Sequence, residues 1–210
     1  MKMFLNKVSH YLPKERVPNE YFEKVNGLSD TWIFERTGIK TRSKAGKEEN
    51  TTTMAVEAVR NAITSLPFDI RDVDLIVGAS YTPYDTVATM GHVVQREFHI
   101  KDAQVVYISS ACSSLVNALE VVEGYFAMGK SRQALVIASE HNTAFSDETC
   151  EKSGHLWGDG ATALFISDEP LGEKPAEILS VYSRGLGHIS KGPEGVYLTP
   201  GREGLQMPDG

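Results

Sequence analysis

The 210-residue chain is long enough to bury one sizeable core, since 41% of its residues are hydrophobic and 23% are charged, as is usual for a globular domain. Its formal net charge of −7 leaves no surplus of Lys and Arg to neutralise phosphates, which argues against a nucleic-acid-binding protein. The sequence contains no apolar run long enough to span a membrane and no secretory signal at its start, so we expect a cytoplasmic protein.

Taken in chain order, apolar strand-like runs alternate with helix-length segments, which predicts a layered α/β fold. The predicted strands cover residues 3–8, 73–80, 105–109, 133–139, 160–167 and 178–182. The predicted helices cover residues 19–25, 29–37, 51–66, 89–98 and 113–128. Ser29 supplies an N-cap for the second helix, and Gly38 ends it. The last helix is apolar almost all round, which predicts burial between two layers.

Cys112 lies at a predicted strand-to-helix junction among small residues that leave room for a ligand. A thiol at a helix N-terminus meets the positive end of the helix dipole and free backbone N–H groups, which favour the thiolate and could hold an oxyanion. The alternative is a small buried cysteine that fills space beside the helix start. Cys150, the second cysteine, lies in an acidic run that disfavours a thiolate, so we interpret it as structural or incidental. Both are expected to be free thiols.

Trp32 and Arg36 lie four residues apart on one predicted helix and therefore share a face. They could stack on an adenine and bind a phosphate; alternatively, the Trp packs into the core and the Arg is solvated. The segment from Gly158 to Ala161 predicts a tight turn and, by itself, no chemistry.

The remaining polar residues give weaker signals. The six histidines have no metal-ligand spacing with another His or Cys, so no metal site is predicted. His141 and His155 are the two candidates for a place near a pocket, and the default interpretation of each is a satisfied interior or an exposed histidine. An acidic partner would need a basic patch. The densest cluster of basic residues is Lys40, Arg42, Lys44 and Lys47.

Together these motifs resemble, over nearly the whole chain and in the same order, the beta-ketoacyl-acyl carrier protein synthase III family of thiolase-superfamily condensing enzymes. The matching segments are Tyr11-Leu12-Pro13, Ser29-Asp30-Thr31-Trp32-Ile33, Arg36-Thr37-Gly38-Ile39, Asp74-Leu75-Ile76-Val77, Ala111-Cys112-Ser113, Ala134-Leu135-Val136 to Ser139-Glu140, and Gly158-Asp159-Gly160-Ala161. The resemblance implies one βαβαβαββ half of the five-layer α/β/α/β/α thiolase fold. It implies an N-terminal half with the nucleophile at residues 1–185, and at 186–210 the start of the connection to an absent C-terminal half.

By this resemblance, Cys112 accepts an acyl group from acyl-CoA, and malonyl-acyl carrier protein then decarboxylates and condenses with it to give 3-oxoacyl-acyl carrier protein. The pathway would be fatty acid, or related polyketide or lipid, biosynthesis. The resemblance also implies that Trp32 and Arg36 bind the adenine and phosphate end of CoA, and that the Cys112 N–H forms part of the oxyanion hole. Val87 falls where the family lines the acyl pocket across a dimer interface, often with a bulky aromatic residue; the smaller side chain predicts a longer or branched acyl group. No cofactor beyond the CoA thioester substrate is implied.

Two departures from the family qualify these expectations. A basic residue that the family places beside the adenine falls on Glu151, which leaves room for another acyl donor. The catalytic His and Asn of the family lie in the second half, and none of the histidines here matches, so we expect the 210-residue chain to be inactive or nearly so in condensation. Because the second half of the fold normally covers this one, we also expect the chain to expose an apolar patch that favours dimers. Acyl transfer to oxygen or nitrogen, condensation in a specialised pathway, and a noncatalytic half that supports an oligomer or binds a carrier protein remain alternatives.

Overall fold

A computed structural model of the chain describes residues 2–191, 195, 197–199 and 204–206. In chain order the elements are β1 (Met3–Tyr11), β2 (Glu15–Pro18), α1 (Asn19–Val25), α2 (Asp30–Thr37), β3 (Thr41–Lys44), α3 (Thr51–Arg60), β4 (Leu75–Ala79), α4 (Met90–Glu97), β5 (Gln104–Ile108), α5 (Ser114–Ala127), β6 (Gln133–His141), β7 (Asp159–Ser167), β8 (Ala176–Ile178), β9 (Tyr197–Thr199) and β10 (Gly204–Gln206). They fall into two units. The first is formed by Met1–Leu12, Glu49–Glu140 and Gly160–Ser183, and the second by Pro13–Glu48, His141–Asp159 and Arg184–Gly210.

The first unit contains a six-stranded sheet in the order β5-β4-β6-β7-β1-β8. Strand β4 pairs in parallel with β5 and with β6, whereas β1 runs antiparallel to β7 and β8. The succession β1-α3-β4-α4-β5-α5-β6-β7 is the predicted βαβαβαββ order. Every residue of β4 is buried, as expected of a strand in the middle of a parallel sheet.

Parallel strands β4, β5 and β6 end at one edge of this sheet. Ala79, the last residue of β4, is in register with Ile108 on β5 and with Ala138 on β6. The segments that follow these three residues therefore leave the sheet side by side. Ligands of open α/β sheets usually bind at such a carboxyl edge, so it is the first place to look for a site.

Two predicted elements of the first unit are wrong in extent. The helix predicted at 51–66 ends at Arg60, because Ala62 N–H bonds the carbonyl three residues back and the chain continues as a 3₁₀ turn at Ile63–Ser65. The strand predicted at 178–182 is Ala176–Ile178 instead. Its last residue pairs with Met3, the first residue of β1, so β1 offers no partner beyond that point.

The apolar sequence of α5 predicted burial between two layers. The structure instead buries the helix along one stripe only. Its fully buried positions recur every four residues: Ser114, Ala118, Val122 and Phe126. They pack on the apolar residues of β4 and β6. Large apolar side chains are also exposed in this unit, among them Leu179 at 88% and Val116 on the other side of α5.

Gly91 on α4 allows that helix to approach the sheet closely. A Cβ atom there would lie 2.6 Å from Cγ1 of Val105 and 3.5 Å from Cγ2 of Ile76. We expect Gly91→Ala to lower the free energy of unfolding by about 2 kcal/mol, because overpacking outweighs the gain in helix propensity. Gly124 in α5 is the matched control: a Cβ atom there meets nothing within 4 Å, so Gly124→Ala should raise stability by about 0.5 kcal/mol. Urea denaturation of both variants tests the prediction, and equal effects would contradict it.

The second unit is built on the antiparallel pair of strands β2 and β3 and on helices α1 and α2, which lie between these strands in the chain. This strand pair was not predicted, since its short strands are polar and contribute few buried residues. The core is a cluster of Val17, Phe22 and Ile33. As predicted, Ser29 caps α2 by accepting a hydrogen bond from the N–H of Trp32 at 3.2 Å, and Gly38 ends it with a φ of +70°.

The proposed division between residues 1–185 and 186–210 stays a prediction. Within the second segment, residues 192–194, 196, 200–203 and 207–210 lie outside the described part of the chain. No helix in the described part is both long and apolar enough to cross a bilayer.

Candidate active site

Cys112 lies in a sharp turn between the end of β5 and the start of α5, at the carboxyl edge of the parallel strands. This is the strand-to-helix junction that the sequence predicted. Its side chain is exposed, so the alternative of a cysteine that fills a core position does not hold. Ala111 before it has a φ of +51°, a left-handed conformation that is costly for a residue with a Cβ atom. The strained turn presents the thiol away from the sheet.

The serines around Cys112 lock this turn by hydrogen bonds. Ser114 accepts the N–H of Ser110 at 2.9 Å and donates its hydroxyl to the Ala111 carbonyl at 2.7 Å. Ser113 donates both its hydroxyl and its N–H to the Ser110 carbonyl, at 2.7 and 3.2 Å. The Ser114 N–H bonds the Ala111 carbonyl at 3.1 Å. The N–H groups of Ser113 and Ser114 are already engaged in these hydrogen bonds. The N–H of Cys112 is therefore the backbone donor that remains for an oxyanion hole at this turn.

A partly buried carboxylate, Glu140, lies near the end of β6, the strand on the other side of β4 from β5. Its oxygens accept hydrogen bonds from the N–H groups of Tyr81 and Thr82 at 3.1 Å each, from the hydroxyl of Ser80 at 3.0 Å, and from the hydroxyl of Thr82. Burial raises the pKa of Glu140, and these hydrogen bonds oppose that shift. The sequence analysis assigned Glu140 no role, although an acidic residue that closes an apolar strand is a usable signal.

Tyr81 follows β4 at the same edge of the sheet as Cys112, and its backbone N–H donates to Glu140. Burial raises the pKa of the Tyr81 phenol, and the charges of Glu140 and then of Cys112 raise it further. Sequence reasoning missed this residue, because only the pairing of β4 with β5 brings the two segments to one edge.

Val87, the predicted acyl-pocket residue, lies on a turn of the first unit and is 80% exposed. Asp85 shapes the turn: its carboxylate accepts the hydroxyl of Thr89 at 2.6 Å, which lowers the pKa of Asp85. Ala88 has a φ of +60°. Because Val87 is exposed, this unit alone does not enclose its side chain in a pocket. Its role in lining the acyl pocket stays a prediction.

In the second unit, Trp32 and Arg36 share one face of α2, as predicted. The Arg36 guanidinium lies over the indole, 4.3 Å from the ring centroid, and donates to the Trp32 carbonyl at 3.3 Å. His155 meets the indole edge-on at 5.5 Å, and the partly buried Trp32 also packs on the unit's core. Each of the two alternatives is therefore partly correct: the side chains share a face as a ligand site requires, and the indole also packs on the core. Binding of an adenine on the Arg36 side of the indole would require the guanidinium to move.

The other predicted candidates of this unit do not form a surface site. His155 is only 3% exposed, and burial and the Arg42 charge lower its pKa, which agrees with the default interpretation of an interior histidine and not with a place in a pocket. The densest basic cluster is only partly available to an acidic partner: Arg42 is 6% exposed and donates to the His155 carbonyl at 2.5 Å, Lys44 pairs with Glu148 at 2.5 Å, and Lys40 and Lys47 are exposed. Glu151 is exposed, and His141 is partly buried at the end of β6.

The prediction that the acidic run around Cys150 disfavours its thiolate is wrong. The hydroxyl of Ser153 donates to the Cys150 sulfur at 3.5 Å, and this bond, together with nearby backbone N–H groups, lowers the pKa of Cys150 despite the acidic sequence around it. Local hydrogen bonds outweigh the burial that would raise this pKa. Cys150 is therefore the control thiol in any labelling experiment.

The tight turn predicted from Gly158 to Ala161 is wrong, because Asp159, Gly160 and Ala161 already belong to β7, where Ala161 pairs with Tyr11. Asp159 has a structural role there instead. The Asp159 carboxylate is 3% exposed and accepts hydrogen bonds from Ala45 N–H at 2.8 Å and from the N–H and hydroxyl of Thr143 at 2.9 and 2.6 Å. It joins two separate segments of the second unit. Within the part of the chain that the structure describes, no group of three or more His, Cys, Asp or Glu residues could hold a metal ion.

Comparison with known proteins agrees with this arrangement. The family model described as 3-oxoacyl-[acyl-carrier-protein (ACP)] synthase III matches residues 107–186, the segment that carries Cys112. The beta-ketoacyl-[acyl-carrier-protein] synthase III of Pasteurella multocida is 34% identical over 181 residues, which is 86% of this chain and 56% of that protein. The same enzyme of Actinobacillus pleuropneumoniae is 35% identical over 156 residues, 74% of this chain and 49% of that protein. This chain belongs to the synthase III family.

Solved structures of the family confirm the predicted thiolase-like α/β fold. The crystal structure of 3-oxoacyl-[acyl-carrier-protein] synthase III from Aquifex aeolicus superposes with a TM-score of 0.75 at 32% identity, over 80% of this chain and 54% of that one. The priming beta-ketosynthase of the R1128 polyketide pathway gives 0.74 at 28% identity, over 79% and 49%. The chain spans about half the length of the curated relatives that it matches.

Proposed function

We propose that this synthase III family protein is an acyltransferase that catalyses the decarboxylating condensation of an acyl-CoA with malonyl-acyl carrier protein. The observation that carries the proposal is the placement of Cys112. The thiol is exposed on a strained turn at the carboxyl edge of the parallel strands, inside the segment that matches the family model. A nucleophile needs this combination of accessibility and fixed direction.

The first step is acylation of the thiol. The Cys112 thiolate attacks the carbonyl carbon of the acyl thioester, a new carbon–sulfur bond forms, and CoA leaves as its thiolate and takes up a proton. The Cys112 N–H stabilises the oxyanion of the tetrahedral intermediate. The acyl-enzyme divides a difficult carbon–carbon bond formation into two easier steps.

The second step forms the carbon–carbon bond. A malonyl group loses CO₂, and the resulting carbanion attacks the acyl-enzyme carbonyl and releases the Cys112 thiolate with a 3-oxoacyl product. By resemblance this step needs a His and an Asn, and no histidine of this chain matches that position. We therefore propose that condensation by the 210-residue chain alone is absent or nearly so, and that acylation of Cys112 persists at most weakly.

The substrates and setting follow from the same resemblance. Trp32 and Arg36 would bind the adenine and phosphate end of CoA, with the rearrangement of Arg36 noted above, and Val87 would leave room for a longer or branched acyl chain. The acceptor would be an acyl carrier protein, the assembly a homodimer, the location the cytoplasm, and the pathway fatty acid or related polyketide biosynthesis. No cofactor beyond the CoA thioester is proposed.

A condensation assay on the complete protein tests the proposal. Acyl-CoAs of increasing and branched chain length are supplied with malonyl-acyl carrier protein, and the 3-oxoacyl product is detected by mass. We expect product, with at least one longer or branched donor used as well as acetyl-CoA. A protein that binds acyl carrier protein yet yields no product from any donor would instead be the noncatalytic alternative. Strict use of acetyl-CoA would contradict the role of Val87 alone.

A further inference from the structure

A chain of hydrogen bonds connects the turn that presents Cys112 to helix α5 and to the last residue of the first unit, Ser183. The hydroxyl of Ser110 donates to the side-chain oxygen of Asn117 at 2.6 Å. The amide NH₂ of Asn117 donates to Glu120 at 2.9 Å and to the hydroxyl of Ser183 at 2.8 Å. Ser183 in turn donates its N–H and its hydroxyl to Glu120, at 2.9 and 2.7 Å. These side chains therefore form one network.

Ser110 is the residue through which the network reaches the turn. Its N–H donates to the hydroxyl of Ser114, and its carbonyl accepts both the hydroxyl and the N–H of Ser113. Its own hydroxyl donates out of the turn, to Asn117. The next residue, Ala111, has the costly φ of +51°, and such a conformation persists only where its surroundings over-determine it. The bond from Ser110 to α5 is one such restraint.

Glu120 decides which way the Asn117 amide faces. Hydrogen bonds from Ser183 and then from Asn117 lower the pKa of Glu120, so it is an ionised carboxylate and can only accept. The NH₂ of Asn117 must therefore face Glu120, and this orientation directs the amide oxygen towards the Ser110 hydroxyl. The carboxylate thus sets the direction of the hydrogen bond that reaches the turn.

We propose that Asn117 is a positioning residue that fixes the Cys112 turn through Ser110, and that Glu120 and Ser183 hold the Asn117 amide in the orientation this requires. The inference deepens the proposed function and rests on it, because a fixed direction of the thiol is what acyl transfer needs. Asn117 acts through the backbone of the turn. The sequence analysis assigned no role to it.

An exchange of the amide and the carboxylate tests this inference. Asn117→Asp places a second carboxylate three residues from Glu120 on the same helix, so the two repel and the network opens. Adding Glu120→Gln reverses the hydrogen bond between the two positions without changing the shape of either side chain. The new amide donates to the new carboxylate, which still accepts the Ser110 hydroxyl. The single variant should therefore loosen the turn, and the double variant should restore it.

Amide hydrogen exchange of the complete protein, read by mass for the peptide that covers residues 109–115, measures the turn and needs no acyl-CoA. We expect Asn117→Asp to raise the exchange rate of this peptide about tenfold and to leave β4 unchanged, because only the turn opens. The double variant should lie within about twofold of the wild type. In acyl transfer, Asn117→Asp should lower kcat about tenfold and leave KM for acyl-CoA unchanged, and the double variant should recover kcat.

Two further variants keep the outcome clear. Glu123→Gln changes a carboxylate elsewhere on α5 and should alter neither exchange nor kcat. If Asn117→Asp does not fold, Ser183→Ala removes one of the two acceptors of the Asn117 NH₂ and should raise exchange of the turn in the same direction.

Unchanged exchange in the folded Asn117 or Ser183 variant, an equal rise in β4, or no recovery in the double variant overturns the inference. The proposed function fails separately, since exchange needs no thioester. A wild-type protein that transfers no acyl group, while its turn responds to these substitutions as described, counts against the proposed function and not against the role of Asn117 in holding the turn.

Discussion

Cys112→Ala is expected to lower the rate of acyl transfer by the complete protein about a thousandfold or more, because no other group in the described turn can form the covalent intermediate. The neighbouring serines are bound in the turn: Ser113 and Ser114 both donate their hydroxyls to backbone carbonyls. A hydroxyl engaged in this way, with no general base beside it, is a poor substitute for a thiolate. The measurement is initial-rate formation of 3-oxoacyl product.

The effect should be chemical and not structural. Cys112 is exposed and packs in no core cluster, so the melting temperature of the variant should stay close to that of the wild type. Cys150→Ala is the matched thiol control and should retain most of the activity. Equal losses in both variants, or a Cys112→Ala enzyme within tenfold of wild type, would show that the reaction does not pass through Cys112.

The largest loss of stability is expected for Asp159→Ala, about 3 kcal/mol in the free energy of unfolding, because the substitution leaves three partly buried donors without their acceptor. Those donors belong to Ala45 and Thr143, which lie far apart in the chain and both donate to this carboxylate. Asp159→Asn should cost less, since the amide oxygen still accepts while its NH₂ faces a donor. Denaturant unfolding followed by circular dichroism gives the comparison.

Asp102 supplies the control for this prediction. It is exposed and lies in the loop before β5, so Asp102→Ala should change stability by no more than about 0.5 kcal/mol. If Asp159→Ala behaved like this surface variant, the hydrogen bonds at Asp159 would not be stabilising the second unit. A loss in Asp159→Asn as large as in Asp159→Ala would contradict the account of donor satisfaction.

The order of elements in the first unit could be read from the sequence because its strands are unambiguous. Strands β4 and β6 are continuous apolar runs, and such a run is enough by itself to predict a strand that is buried on both faces. The antiparallel pair of β2 and β3 gave no such signal, because its buried positions include Arg42, whose charge suggested a surface residue. Burial of that guanidinium depends on the Asn19 side chain and the His155 carbonyl, which only the tertiary structure supplies.

The residues of the candidate site also differ in whether the sequence alone could predict them. Cys112 was predictable because the signal, a thiol between a strand and a helix, lies within a few consecutive residues. Tyr81 and Glu140 come to the same sheet edge only through the pairing of β4 with β5 and β6, and neither lies in a local pattern typical of catalysis. Asp159 looked like part of a glycine turn, since its partners are remote in sequence.

The most direct test of the central claim is the mass of the Cys112 peptide after the protein has been incubated with an acyl-CoA and digested under acidic conditions. We predict that this peptide gains the mass of the acyl group, that neutral hydroxylamine removes the gain as it cleaves a thioester, and that the Cys150 peptide is unchanged. An unmodified Cys112 peptide across acyl donors of different length, or an acyl group found only on Cys150, would contradict the account.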